Sequence, residues 1–168
     1  MAEDAVRAQV MAPMDQGSEA DNSLFGILKQ QRNLFVDAWY DRIADRHFAE
    51  AASFLRLQPD RFANPAAYAF RTAIEEIYRA LLDEGDVVRH PLEYAVKIRA
   101  VQETDPSEGI AFVSFIKDIV REKLSPLVSN RELENFDSRV DRITSIAGEM
   151  FMAHRRKIAE LAGLRGRF

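Results

Sequence analysis

Apolar residues recur at intervals of three and four along most of the chain from Ser23 onward, which is the spacing of one helix face. The first stripe begins after a capping candidate, Asn22-Ser23, and predicts a helix that ends near position 47. Its members are Leu24, Leu28, Phe35, Trp39 and Ile43. A short second helix is predicted over about Phe48 to Leu57.

The hexapeptide DRFANP, residues 60–65, separates these helices from the next one. Asn64 is a favourable N-cap, and Pro65 suits the first helical turn because its missing N–H is not needed there. We expect Phe62 to anchor this turn in the core, with Asp60 and Arg61 bracing it. The helix that follows is predicted from the apolar stripe Phe70, Ala73, Ile74, Ile77 and Leu81.

The second half of the chain predicts three more helices. Pro91 opens the first, and Asp105 caps the second, with Glu108 placed three residues later as in a capping box. The last helix runs from about Arg131 to Leu161. No alternating run typical of a strand occurs between turn signals. The predicted fold class is therefore all-α, a single-domain helical bundle with a long C-terminal helix.

Composition excludes several classes of function. A chain of 168 residues is long enough for one domain with a core, and its formal charge of −4 disfavours nucleic acid as the main partner. The absence of cysteine excludes disulfides, thiolate metal sites and cysteine nucleophiles. Residues 1–22 carry neither a helical period nor a secretory signal, and no apolar run reaches the length of a membrane span. We therefore expect a flexible leader followed by a cytoplasmic domain over residues 23–168.

Side-chain patterns typical of catalysis are absent from the sequence. Its seven glycines form no phosphate-binding loop, and its serines form no nucleophile elbow. Among the three histidines, His154 falls on the apolar stripe of the last helix and His90 precedes Pro91. A core or interface histidine is the favoured reading of His154, because no second metal ligand follows at a recognisable spacing. We predict a protein that is not an enzyme and holds no metal or cofactor.

Three stretches of the chain together resemble a known family. They read FLRLQPDRFANPAAYAFRTAIEEIYRALL, YAVKIRAVQETDPSEGIAFVSFIKDIVREKL and FDSRVDRITSIAGEMFMAHRRKIAEL. Their order and spacing are similar to the RsbRD N-terminal domain family, the sensor-like helical module of RsbR-type co-antagonists of the bacterial stressosome. The resemblance spans residues 24–162 and implies a helical bundle, with a globin-like arrangement as one form, that binds and signals. Such co-antagonists carry a C-terminal STAS domain, which this sequence lacks, so a standalone member is expected.

The resemblance also makes the DRFANP turn and the segment IRAVQ…PSE the preferred ligand or partner site. The candidates are Asp60, Arg61, Phe62, Asn64, Arg99, Gln102, Asp105 and Glu108. The alternative is that these residues only maintain the architecture. The function favoured is a sensory or regulatory module that binds a protein partner or a small ligand. Two alternatives stay open: a haem- or tetrapyrrole-binding globin-like sensor with His154 or His90 as ligand, and a structural subunit of a larger complex.

The last helix predicts self-association. Its apolar stripe continues for longer than a bundle of this size is expected to cover, and an uncovered apolar strip usually marks an interface. The predicted contact is a homodimer joined mainly through residues 140–161, either parallel or antiparallel. The interface candidates are Met150, Phe151, His154, Ile158 and Leu161.

Overall fold

The computed structural model describes residues 22–47, 62, 64–83 and 89–165. These residues contain no strand and form the helices α1 (Leu24–Gln30), α2 (Arg32–His47), α3 (Pro65–Leu82), α4 (Arg89–Gln102), α5 (Pro106–Leu124) and α6 (Asn130–Arg165). The prediction of an all-α bundle with a long C-terminal helix is confirmed. The predicted leader up to residue 21 and the predicted helix at 48–57 lie outside the described residues. No described helix is both long enough and apolar enough to cross a membrane.

The first predicted helix is divided in two. Its stripe is buried as expected, and Ser23 caps α1 by accepting the Gly26 N–H at 3.1 Å. The chain nevertheless breaks at Gln31, between α1 and α2. The buried hydroxyl of Tyr78 on α3 donates to the Leu28 carbonyl at 2.7 Å, in the last turn of α1. A carbonyl at the end of α1, close to the break at Gln31, therefore accepts a hydrogen bond from α3.

Cap hydrogen bonds confirm two predicted helix starts. The Asn64 Oδ1 accepts the Ala67 N–H at 3.1 Å, and the Asp105 carboxylate accepts the Ser107 N–H at 2.9 Å. Each cap is followed by a proline in the first helical turn, which fits its fixed φ and its lack of a donor. The chain therefore starts α3 and α5 with local signals that can be read in the sequence.

Helices α5 and α6 pack antiparallel along one side of the core. Lys117 forms an ion pair with Asp141, and Arg121 forms one with Asp137. Residue numbers therefore increase along α5 in the direction in which they decrease along α6. The α6 residues that face inward are the first part of the predicted stripe, and all are buried: Leu133, Phe136, Val140, Ile143 and Ala147.

Helix α6 also contributes polar side chains to the ends of three other helices. A carboxylate at a helix N-terminus and a guanidinium at a helix C-terminus both suit the helix dipole. The pairs are Glu132 with the Leu24 N–H of α1 at 3.1 Å, Arg139 with the Leu81 carbonyl of α3 at 3.0 Å, and Arg155 with the Ala100 carbonyl of α4 at 3.0 Å. The long helix therefore positions the ends of α1, α3 and α4.

Candidate functional site

The DRFANP turn lies partly within the described residues. Asp60 and Arg61 lie outside them, so their roles stay predictions. Asn64 is only 7% exposed and caps α3 as described above. Phe62 is 90% exposed, so the prediction that its ring anchors the turn in the core is wrong. The buried residues nearest the start of α3 are Ala67 and Phe70, which both lie within the helix.

The other candidates of this group meet where α4 ends and α5 begins, at an α4–α5 corner formed by Arg99, Gln102, Glu103, Asp105 and Glu108. Arg99 is 3% exposed, and its guanidinium donates to the Gln102 Oε1 at 3.1 Å and to the Glu108 carbonyl at 3.4 Å. Burial lowers the pKa of Arg99, while the carboxylates of Glu103 and Glu108 act in the opposite direction. Arg99 thus joins the end of α4 to the first turn of α5.

Two carboxylates of the α4–α5 corner, those of Glu103 and Asp105, accept hydrogen bonds from the backbone beside them. Only half of the predicted capping box forms: the Glu108 N–H interacts with the Asp105 carboxylate, whereas the Asp105 N–H donates to the Glu103 Oε1 at 3.1 Å. Glu103 immediately precedes the turn and also accepts the Thr104 N–H at 2.8 Å. These N–H groups lower the pKa of Glu103, and the Ser107 hydroxyl and N–H lower the pKa of Asp105. These hydrogen bonds hold the end of α4 against the start of α5. A ligand-binding role for the corner stays a prediction.

One proposed dimer-interface residue lies inside the protomer. Phe151 is fully buried, which contradicts the expectation that it is left exposed for a second copy. The reason is Gly109 on α5: a Cβ at that position would lie 2.1 Å from the Phe151 Cε2. The missing side chain makes room for the ring. Met150 beside it is partly buried and packs against the core.

The remaining interface candidates line an open groove of about 490 Å³ between α4 and the distal part of α6. We call it the α4–α6 groove. Seven of its nine lining residues are exposed, the exceptions being His154 and Ile158. The lining residues are His90, Glu93, Tyr94, Lys97 and Val101 from α4, and His154, Lys157, Ile158 and Leu161 from α6.

The α4 wall of this groove was missed by sequence reasoning. Tyr94 and Val101, seven positions apart on one face of α4, are 41% and 71% exposed. The signal available was this apolar spacing opposite the buried side of α4, but it does not show which other helix lies alongside. Across the groove, the His154 Nε2 lies 3.7 Å from the Glu93 Oε1. This distance is longer than a hydrogen bond, so the reading of His154 as a core or interface histidine held by a hydrogen bond stays a prediction.

The described residues contain no group of three or more histidine, cysteine, aspartate or glutamate side chains arranged for a metal ion. The helical bundle, with an open and partly apolar groove and polar groups fixed at its helix ends, defines an all-α domain. The sequence profile described as "RsbT co-antagonist protein rsbRD N-terminal domain" matches residues 37–167. The chain belongs to this family, which confirms the resemblance. Neither the curated proteins nor the solved structures give a significant match.

Proposed function

We propose that this chain is a non-enzymatic regulatory domain that acts in the cytoplasm by binding a protein partner, as a co-antagonist of an RsbT-type kinase does. The family match over residues 37–167 carries the proposal. The α4–α6 groove supports it, because exposed apolar side chains grouped between two helices are typical of interaction sites. The α4–α5 corner adds support against catalysis, because the Glu103 and Asp105 carboxylates there accept backbone N–H groups.

A binding measurement tests this function. The purified chain is immobilised and titrated with an RsbT-type kinase and, separately, with a STAS-containing co-antagonist. We expect saturable binding of at least one of them. Absence of binding to both would contradict the proposed partner class. Catalytic turnover that disappears on substitution of one polar residue would contradict the non-enzymatic role.

A tetrapyrrole sensor is the second candidate, because His90 and His154 line the same groove. The test is a haem titration followed by absorbance. A sharp Soret band that is lost in His154→Ala or His90→Ala would support this function and identify the ligand. A spectrum that stays that of free haem would exclude it.

We also propose that the chain forms a homodimer through the distal part of α6. Met152 and Leu164 are 47% and 53% exposed and lie on the face of α6 that points away from the core. Exposed apolar residues grouped on one helix face support a contact between copies. Because Phe151 is buried in the protomer, it is not available to a second copy. We therefore propose that the dimer forms through the outer face of α6 and not through the stripe that contains Phe151.

A further inference from the structure

The walls of the α4–α6 groove carry apolar side chains at helical spacing. Tyr94 and Val101 follow one another by seven positions on α4, and Ile158 and Leu161 by three on α6. Val101 and Leu161 are 71% and 56% exposed, so these groups are not covered by the protomer itself. A groove between two helices with apolar groups at such intervals fits the i, i+3, i+4, i+7 side chains of a third helix.

The charges lining the groove indicate which charge a bound helix should carry. Lys97 stands on the α4 wall and Lys157 on the α6 wall, and neither makes an ion pair or hydrogen bond with another described residue. The one carboxylate lining the described groove, Glu93, already faces His154. The groove therefore has a local positive charge although the whole chain has a formal charge of −4. Complementary charges on a partner would steer its approach and fix its register.

We infer that the α4–α6 groove binds an amphipathic helix of a partner protein, with its apolar face on Tyr94, Val101, Ile158 and Leu161 and acidic residues beside Lys97 and Lys157. This inference rests on the proposed binding function and specifies its surface and the chemistry of its partner. The open shape favours a helix over an enclosed small molecule, since most of the lining side chains are solvent-exposed.

The test uses synthetic peptides as probes. A fluorescent helical peptide of about 15 residues carries leucines at i, i+3, i+4 and i+7 and glutamates on its flanks. A matched peptide has lysines in place of the glutamates. Fluorescence anisotropy with the full chain is expected to show saturable binding of the acidic peptide, weakened by salt, and much weaker binding of the basic one.

Charge-reversed variants make the test specific. Lys97→Glu combined with Lys157→Glu should weaken the acidic peptide at least about tenfold and strengthen the basic one. Val101→Glu should also weaken the acidic peptide. Tyr68→Glu, at a 41% exposed position on α3 outside the groove, is the matched control and should bind like the parent chain. Circular dichroism melting of each variant checks that it is folded.

Several results would overturn the inference. These are equal binding of the acidic and basic peptides, unchanged binding in the charge-reversed variant, and binding of decanoate in the groove with no peptide bound. The proposed function fails separately. If the parent chain binds the kinase or co-antagonist and Val101→Glu binds it equally well, the function stands and the groove is not its surface. If the peptide binds as expected and neither protein does, the groove stands and the proposed partner class falls.

Discussion

Gly109 and Phe151 show how one absent side chain decides a contact. Gly109 is buried in α5, and the ring of Phe151 from α6 lies where its Cβ would be, with ring carbons 2.1 to 2.7 Å from that position. Glycine is a poor helix former, by about 1 kcal/mol relative to alanine. Its presence in the first turn of a packed helix is explained by the ring, which could not approach α5 as closely over any other residue.

Gly109→Ala is therefore predicted to lower the free energy of unfolding. The gain in helix propensity is about 1 kcal/mol, and overpacking a buried ring costs typically 1–3 kcal/mol, so we expect a net loss of up to about 2 kcal/mol. Urea denaturation followed by circular dichroism measures it. Gly148→Ala and Gly163→Ala are the controls. A Cβ at position 148 would lie an ordinary 3.6 Å from Ile110, and a Cβ at position 163 would have no neighbour within 4 Å. Both should be neutral or stabilising, and a Gly109→Ala chain as stable as these would refute the account.

At the scale of elements, Glu132 links the start of α6 to the start of α1. One carboxylate oxygen accepts the Ser129 N–H at 2.9 Å, while the Ser129 hydroxyl faces the Glu132 N–H at 3.3 Å, which makes a reciprocal capping box. The other oxygen accepts the Leu24 N–H at 3.1 Å. The N–H groups of Ser129 and Leu24 lower the pKa of Glu132. A single carboxylate thus serves two helix N-termini.

Glu132→Gln keeps one acceptor oxygen but loses the other and the charge, and it is predicted to destabilise the protein by up to about 1 kcal/mol at neutral pH. A carboxyl whose pKa is lowered by folding stabilises the fold above its unfolded pKa of about 4.3, and this contribution disappears as the pH falls through the folded pKa. The difference between parent and variant should accordingly shrink as the pH falls below about 4. Thermal melts across this pH range test it, with the exposed Glu134→Gln as control. A difference that stays constant with pH would show that the charge of Glu132 is not involved.

At the scale of the whole molecule, α6 is longer than the elements it supports. Its 36 residues span about 54 Å, against about 28 Å for the 19 residues of α5. The last contact that it makes to a described helix end is from Arg155 to α4. On either side of this point its outer face carries Met152, Arg156, Glu160 and Leu164, all exposed. An antiparallel pair centred on Ile158 would place Met152 opposite Leu164 and Arg156 opposite Glu160 of a second copy.

We predict a homodimer of this antiparallel form. A parallel pair would place Arg156 beside Arg156 of the second copy, and these two positive charges would repel each other. Light scattering should give twice the mass of one chain at micromolar concentration, and Met152→Glu with Leu164→Glu should give a monomer. Arg156→Glu alone should weaken the dimer, and adding Glu160→Arg should restore it. A parent chain that is monomeric would contradict the proposal. If neither charge substitution changed the stability of the dimer, the interface would lie on another surface.

Predictability from the sequence differs between the fold and the candidate site. The helix class, the caps at Ser23, Asn64 and Asp105, and the inward stripe of α6 followed from residues within one or two turns of each other. The capping box of Ser129 has the same local character and could have been found from its Ser-x-x-Glu spacing. For the site, the sequence indicated Arg99 and its neighbours but not that Arg99 is buried.

Which segments are helical, and where several of them begin, can be read from the amino-acid sequence, because propensity, capping and proline chemistry act over a few residues. What each apolar face packs against is a property of the folded chain. The helical period shows that a face is apolar, but whether it packs on the same chain or stays exposed depends on segments far away in sequence. Phe151 is buried because Gly109 makes room for it, whereas Leu161 on the same helix lies beside an open groove. The bond from Leu24 to Glu132, between residues 108 positions apart, is a consequence of packing in the same way.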